Sequence, residues 1–436
     1  MSTRRIVVTG LGVIAPTGTD VDTFWENTRL GRSGVFRIDT FDVAGFQSQV
    51  AGVVRDFRPE DHGLEDAEAR GLDRFAQFAL AAAAEAMGRA GLADGGCDPD
   101  RLGVSVATAI AGTKYMEEAF LRLTDGATAP LDATRSDPAL LPGTCFHVAS
   151  SEIARTYGAR GPVSTLATGC TAGLDALGEA MEMIRAGEAD VVIAGAAEAP
   201  LTPIAMGAFD IIGAITSDRN DTPETASRPY DASRSGFVLA EGCGILVLED
   251  LEHARRRGAP ILVELTGFGS TCNAYHMTDL LPEGLDLHRA MRLALTDAGI
   301  APERIDHVNA HGSSTPQNDV NETNAVKRTL GPRAHEIPIC SLKSIVGHAL
   351  AAANTVEVVA LVQSIVHQET PPTSNLVDPD PRCDLDYVPD GPRQARIDVA
   401  LKDASGFSGI HSALIVARYD PAASGSHPHS EEARVA

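Results

Sequence analysis

Three residues with chemically useful side chains stand in similar company along this chain. Cys170 lies in "TLATGCTAGLD" (Thr165–Asp175), between a glycine and a threonine. His311 lies in "HVNAHGSSTPQND" (His307–Asp319), after an apolar stretch and ahead of Gly312, Ser313, Ser314 and Thr315. His348 lies in "CSLKSIVGHALAAANTVEVVALVQSI" (Cys340–Ile365), directly after Gly347. Lys343 precedes His348 by five residues, and Glu357 follows it in the same segment. A thiol can take up an acyl group as a nucleophile. Paired histidines can donate to the oxygen of an enolate formed when a malonyl group loses CO₂. A protease-type Cys–His pair needs one histidine and an orienting Asn or Asp. A thiol with two histidines and a lysine fits carbon–carbon bond formation through a thioester better.

The elements that must position these residues are legible in part. After Cys170, the apolar residues Leu174, Leu177, Ala180, Met181 and Ile184 follow a helical period, so Cys170 falls at a helix N-terminus. There the helix dipole and free N–H groups favour a thiolate, and Gly169 permits a strained turn. From this stretch alone, a buried small hydrophobe is an equally open reading. His311 at a strand end followed by Gly and hydroxyls reads as a site loop, and a satisfied structural histidine is as open. His348 repeats the arrangement of Cys170: glycine, reactive side chain, start of an Ala-rich helix. "VELTGFGSTCNA" (Val263–Ala274) echoes "VVTGLGVIAPTG" (Val7–Gly18), which suggests two similar halves meeting near residues 250–260. If the halves are repeats, Cys170 and His348 lie at matching helix ends and face each other across the centre. "ADVVIAGAAEA" and "CGILVLEDL" read as strands, and "DRFAQFALAAAAEAMGRAG" as a helix closing on Gly91. Strands alternating with Ala-rich helices predict α/β layers.

Composition excludes several classes. The 436 residues suffice for a large core, and 44% of them are apolar, so the chain is globular. A net charge of −23 argues against nucleic acid and against anionic lipid. The 7 cysteines are irregularly spaced and form no CxxC pair, so neither a disulfide framework nor a zinc site is predicted. A reduced, cytoplasmic location follows. No run reads as the roughly 18 apolar residues a membrane span needs. The apolar run after Arg4-Arg5 is too short for an export signal. Gly10-Leu-Gly12-Val-Ile-Ala15 fits a loose dinucleotide pattern, but Pro16 and Gly18 would break the phosphate-binding helix. From about Pro421 the tail has no apolar period and is predicted to be disordered.

With these motifs assembled, the chain resembles a β-ketoacyl synthase of the elongating class, in the thiolase superfamily, from "RRIVVTGLG" to "ALIVARYD". The Cys–His–His set, with 37 residues from His311 to His348, and the positions of Lys343 and Glu357 carry the resemblance. Asn in place of His348 would have suggested the initiating class. "TGCTAGLDALG" and "HGSSTPQNDVNETNAVKR" are similar to the ketosynthase (α) subunits of bacterial type II polyketide synthases. The paired chain-length-factor subunits lack the nucleophilic cysteine, so Cys170 points to the catalytic subunit.

The resemblance implies a thiolase-like α/β fold: two pseudo-equivalent halves forming a layered αβαβα sandwich. Residues 1–255 would form the half carrying the nucleophile, 256–420 the half carrying the two histidines, and 421–436 the tail. It implies decarboxylative condensation of a Cys170-bound acyl chain with a malonyl group on acyl carrier protein. His311 and His348 would stabilise the enolate, and Lys343 would hold a histidine and tune its proton. Glu357 would be a supporting charge bonded to nearby backbone. The N–H groups of Cys170 and Phe407 would form the oxyanion hole, with Phe407 also gating the acyl channel. Ser313 and Thr315 would bind the phosphopantetheine arm, which arrives on the carrier protein; the chain needs no cofactor or metal of its own. The expected partners are the carrier protein and a Cys-less chain-length-factor subunit in a heterodimer, with neither nucleic acid nor membrane. The alternatives are a homodimeric fatty-acid elongation synthase and a non-catalytic chain-length subunit. A degradative thiolase is disfavoured because no second cysteine is suitably placed as a base.

One departure stands out. The family's glycine-rich "GFGG" reads Gly406-Phe407-Ser408-Gly409, so a serine replaces a glycine beside the gate. If that position needs positive φ, Ser408 is strained. Ala111 and Gly112 in "ATAIAGTKY" would leave room for a long acyl chain, with ordinary close packing equally open. Arg255-Arg256-Arg257 reads as a helix C-terminus, with a carrier-docking role as the alternative, and Arg70 and Arg74 are other candidates for that patch. Cys97, Cys145, Cys243, Cys272, Cys340 and Cys383 read as packing or surface residues.

Overall fold

The structure, a computed structural model, describes residues 4–64, 71–281 and 283–421. Arg70 and the tail after Pro421 lie outside the described residues.

Ten strands form one sheet. In chain order they are β1 (Ile6–Ile14), β2 (Leu102–Ala107), β3 (Val163–Ser164), β4 (Val191–Glu198), β5 (Gly242–Asp250), β6 (Val263–Cys272), β7 (His307–Asn309), β8 (Ile339–Cys340), β9 (Val399–Ser405) and β10 (Ile410–Arg418). Their spatial order is β8-β7-β9-β10-β6-β1-β5-β4-β2-β3. Counting strands within each half gives 3-2-4-5-1 twice, once from β3 to β1 and once from β8 to β6. The two sets meet where β1 pairs antiparallel with β6, Ile6 opposite Leu265 and Val8 opposite Val263.

The helices complete five layers. α1 (Arg74–Ala90) covers the outer face of the first set and α3 (Leu285–Ala298) that of the second. α2 (Ala172–Arg185) and α5 (Leu350–His367) lie between them. Strand alternation sorts the side chains: Val192, Leu246, Leu248, Leu414 and Val416 face the central helices, whereas Val191, Ile193, Ile245, Val247 and Ile415 face the outer ones. Strands covered on both faces read as continuous apolar runs, as "GILVLED" does. The fold class expected from the sequence is therefore the one observed.

The repeated Thr-Gly-x-Gly echo has a packing cause. A Cβ on Gly12 would lie 1.9 Å from the Ala82 carbonyl oxygen of α1, and one on Gly269 would lie 2.4 Å from that of Ala290 in α3. Each outer helix thus rests directly on strand backbone. Gly10 and Gly12 sit inside β1, which continues to Ile14, so no phosphate-binding turn forms there. Asp73 caps α1 by accepting from Phe75 N–H, and Gly91 closes it in the left-handed conformation.

One expectation needs correction. α5 is an 18-residue helix long and apolar enough to span a membrane. It is instead the central core helix, with 83% of that window buried. Its apolarity comes from being covered on all sides.

Candidate active site

The N-terminal ends of α2 and α5 converge on one cavity of about 350 Å³. Cys170, His311, His348, Ser313, Thr315 and Phe407 all line it. Phe209 and Phe237 supply apolar wall.

Cys170 sits in a 3₁₀ turn (Gly169–Thr171) that runs straight into α2. Gly169 has φ +66°, a conformation that favours glycine. Asp175, one turn into α2, fastens this loop. Its carboxylate accepts from Thr168 Oγ1, from Thr171 Oγ1 at 2.9 Å, and from Ser412 Oγ of β10 at 2.5 Å. Asn354 of α5 donates its amide to the Cys170 carbonyl. The backbone N–H groups of Phe407 and of Cys170 itself act on the sulfur and lower its proton affinity. Burial nonetheless pushes the thiol up to about 11, against the lowering effects of Lys343 and those N–H groups. A thiolate favoured by its helix end is thus not the resting state: desolvation outweighs the helix terminus.

His348 sits two residues before α5, after Gly347 at φ +75°. Its N–H donates to Val238 O at 2.7 Å, and its carbonyl accepts from Ala240 N–H at 3.0 Å. The Phe237 ring meets the imidazole edge-on at 5.1 Å. His311 follows β7 by two residues. Its backbone N–H and that of Gly312 donate to the two oxygens of Glu322, at 2.5 and 2.9 Å. The two imidazoles lie 5.2 Å apart, nearly perpendicular. Burial, then the charge of Lys343, holds both well below the usual histidine range. Both rings are therefore neutral near pH 7, and each offers one N–H donor.

Lys343 and Glu357 depart from their expected contacts. Lys343 Nζ donates to Glu357 Oε1 at 2.6 Å. No hydrogen bond joins Lys343 to either histidine among the described residues, and the ammonium reaches them and Cys170 through its field. Among the described residues the Glu357 carboxylate accepts from no backbone N–H; Lys343 and Lys402 flank it. Both partners are fully buried, where carboxylate and ammonium must compensate one another.

Ser313 Oγ and Thr315 Oγ1 lie 2.9 Å apart on the cavity wall. Ser408 has φ +66°, the left-handed backbone that its glycine counterpart would adopt freely. Its N–H donates to Met277 O at 2.6 Å and its hydroxyl to Met277 Sδ at 3.1 Å, which ties the Phe407 loop to the segment around Met277. Gly112 does not widen the cavity: a Cβ there would lie 2.0 Å from the Gly143 carbonyl oxygen, so its small size serves packing. Arg74 is engaged by Glu241 at 2.9 Å; Arg257, in the last turn of a helix (Leu251–Arg257) that closes at Gly258, is engaged by Glu249 at 2.7 Å. All 7 cysteines are free thiols.

Four residues of this site escaped sequence reasoning: Asp175, Glu322, Lys402 and Asp403. The last two carried a signal, since Lys402-Asp403 interrupts the apolar strand "VALKDAS".

The profile of the β-ketoacyl synthase N-terminal domain matches residues 3–254, and that of its C-terminal domain matches residues 262–377. The chain belongs to the β-ketoacyl synthase family. This synthase is an acyltransferase-type enzyme, most like the ketosynthase α subunits of type II polyketide synthases. It is 48% identical to a putative polyketide β-ketoacyl synthase 1 of Streptomyces halstedii, over 95% of this chain and 98% of that protein. A solved type II polyketide synthase acyl-carrier protein in complex with its ketosynthase, bound to the hexaketide, matches with a TM-score of 0.90 and 47% identity, over 96% of this chain and all of that one. The ishigamide ketosynthase/chain length factor matches with a TM-score of 0.88 and 34% identity, over 96% of this chain and all of that one.

Proposed function

We propose that this synthase condenses a Cys170-bound acyl chain with a malonyl thioester held on an acyl carrier protein, as the ketosynthase of a type II polyketide synthase. The observation that supports it most is one cavity that holds a sulfur facing two backbone N–H groups and two neutral imidazoles 5.2 Å apart.

In this reading residues 1–255 supply the nucleophile and residues 256–420 the histidines. Cys170 sulfur attacks the carbonyl of an acyl thioester, whose oxygen draws on the N–H groups of Cys170 and Phe407. The carrier thiol leaves with the proton, and the chain is now bonded to Cys170. A malonyl thioester then enters, its pantetheine arm against Ser313 and Thr315. His311 and His348 donate to its thioester oxygen while the bond to the carboxylate breaks. CO₂ departs and the electron pair becomes an enolate. The enolate carbon attacks the Cys170 thioester, the sulfur leaves as thiolate, and the lengthened β-ketoacyl chain remains on the carrier. A neutral imidazole keeps one N–H, so each ring can donate to the developing enolate oxygen while carrying no charge itself.

The same reading assigns a carrier protein as partner and a Cys-less homologue as second subunit. The test is intact mass after incubation with acyl-loaded carrier, alone and with the neighbouring subunit. An acyl adduct that maps to Cys170 and vanishes in Cys170→Ala is expected. A folded chain with no adduct under either condition would overturn the proposal.

A further inference from the structure

β9 carries two charged residues through the core. By strand alternation Lys402 faces the central layer and Asp403 the outer one. Lys402 is fully buried. Its ammonium lies 2.8 Å from Glu357 Oε2, unaligned as a hydrogen bond, and donates to the carbonyls of Asp403 at 2.8 Å and Ala310 at 3.4 Å. Ala310 is the residue before His311, and Lys402 is register partner to Asn309. On the other face, the Asp403 carboxyl meets that of Glu322 in α4 (Asn318–Leu330). Neither Asp403 oxygen has an N–H or hydroxyl donor among the described residues. Glu322 is the residue that holds the His311 and Gly312 N–H groups, and it also accepts from Tyr230 at 3.0 Å.

These groups form one charge set. Lys343 and Lys402 contribute two cations; Glu357, Glu322 and Asp403 are three carboxyls, all buried. Two facing carboxyls must share a proton, because two buried like charges cannot both ionise; Glu322, which accepts from three donors, keeps the charge, and Asp403, which has none among the described residues, holds the proton. One shared proton leaves two anions against two cations, and the set balances.

We propose that Lys402 and Asp403 are positioning residues for the decarboxylation step, holding Glu322 as the anion that fixes His311 and completing the charge balance around Glu357 and Lys343. The inference rests on the proposed function. Lys402 touches no substrate and acts through its neighbours. The groups whose charge acts with that of Lys402 are Glu357, Asp403, Lys343, His311, His348 and Cys340, and those acting with Asp403 include Glu322, Lys343, Glu357 and Tyr230. Without Lys402 the carboxyl pair takes up its second proton, Glu322 becomes a weaker acceptor, and His311 loses a cation that keeps it neutral.

The test uses the full chain with malonyl-pantetheine, following CO₂ release and, separately, iodoacetamide alkylation of Cys170. Lys402→Met is expected to lower kcat for decarboxylation on the order of 10²-fold, the scale of a misplaced reacting group. KM and Cys170 alkylation stay at wild-type values, and the acid limb of the kcat profile moves to higher pH. In Asp403→Asn, Glu322 is a lone anion with an amide beside it and no carboxyl to share a proton, so the alkaline limb of the kcat profile moves to higher pH. A Lys402→Met enzyme with wild-type kcat and profile overturns the inference, as does equal loss of alkylation and decarboxylation. If Lys402→Met does not fold, a wild-type profile in Asp403→Asn overturns it. Wild-type protein that releases no CO₂ removes the proposed function and this inference with it.

Discussion

Titration of Cys170 alkylation puts the competition between burial and helix end to a direct measurement. Burial places the thiol at about 11, with Lys343 the largest opposing influence. An ordinary thiol near 8.5 is ~0.2 ionised at pH 8, whereas one at about 11 is ~10⁻³ ionised. The more basic thiolate is intrinsically faster by roughly tenfold, so alkylation at pH 8 is expected to run roughly 20-fold below that of free cysteine. The slope is the cleaner reading. With iodoacetamide in short exposures, the rate constant should keep rising about tenfold per pH unit to roughly pH 10. Peptide mapping separates Cys170 from the exposed Cys272. Lys343→Met removes the cation that lowers the thiol, so its rate at pH 8 should fall by several-fold to about tenfold, one unit being 1.36 kcal/mol. A wild-type rate that levels off at or below about pH 9, or a Lys343→Met rate equal to wild type, would refute the argument that desolvation dominates and that Lys343 acts on the sulfur through its field.

Two further outcomes follow from buried groups away from the sulfur. Asp175→Ala deprives the Thr168, Thr171 and Ser412 hydroxyls of their acceptor; a loss of about 2–3 kcal/mol is expected as a lower denaturant midpoint, with slower acyl loading of Cys170. His307 and His411 are buried and held at about 4, by desolvation. A histidine whose folded value lies below its unfolded value near 6.5 contributes stability that is complete above that unfolded value and is lost as pH falls through the folded one. Acid destabilisation between about pH 6.5 and 4 is therefore expected, up to about 3 kcal/mol for each residue, and His411→Gln should flatten that part of the stability profile.

Most of the architecture was legible because it rests on local patterns. Strands buried on both faces wrote themselves as apolar runs, and the Thr-Gly-x-Gly echo in Val7–Gly18 and Val263–Ala274 marked the glycines that seat α1 and α3. The reactive side chains were legible because each follows or precedes a glycine at an element end. What the sequence could not show was partnership across the sheet. Glu357 read as a supporting charge, yet its partners are Lys343, fourteen residues before it, and Lys402 on a different strand. Gly112 read equally as room for substrate or as close packing; the backbone that decides for packing is that of Gly143, which no local pattern indicates. The apolar character of the 18-residue helix α5 escaped notice because Glu357, Asn354 and Ser364 break the run in one dimension. In three dimensions those polar residues are buried too.

The repeat also explains why the chemistry is unequal. Both halves deliver a positive-φ glycine, then a reactive residue, then a central helix: Gly169-Cys170 ahead of α2, and Gly347-His348 ahead of α5. Symmetry of backbone therefore brings two helix ends to one cavity, but it cannot by itself make one residue a nucleophile and the other a donor. The difference lies behind them. Hydroxyl donors and one carboxylate, Asp175, steady the cysteine turn. Behind the histidines, Lys343, Lys402, Glu357, Glu322 and Asp403 are all buried within the second half. Lys343 favours the thiolate, and the cationic field of both lysines favours the enolate and disfavours imidazolium. One buried charge set can thus serve both tasks, lowering the proton affinity of the histidines while drawing negative charge into the cavity they share with Cys170.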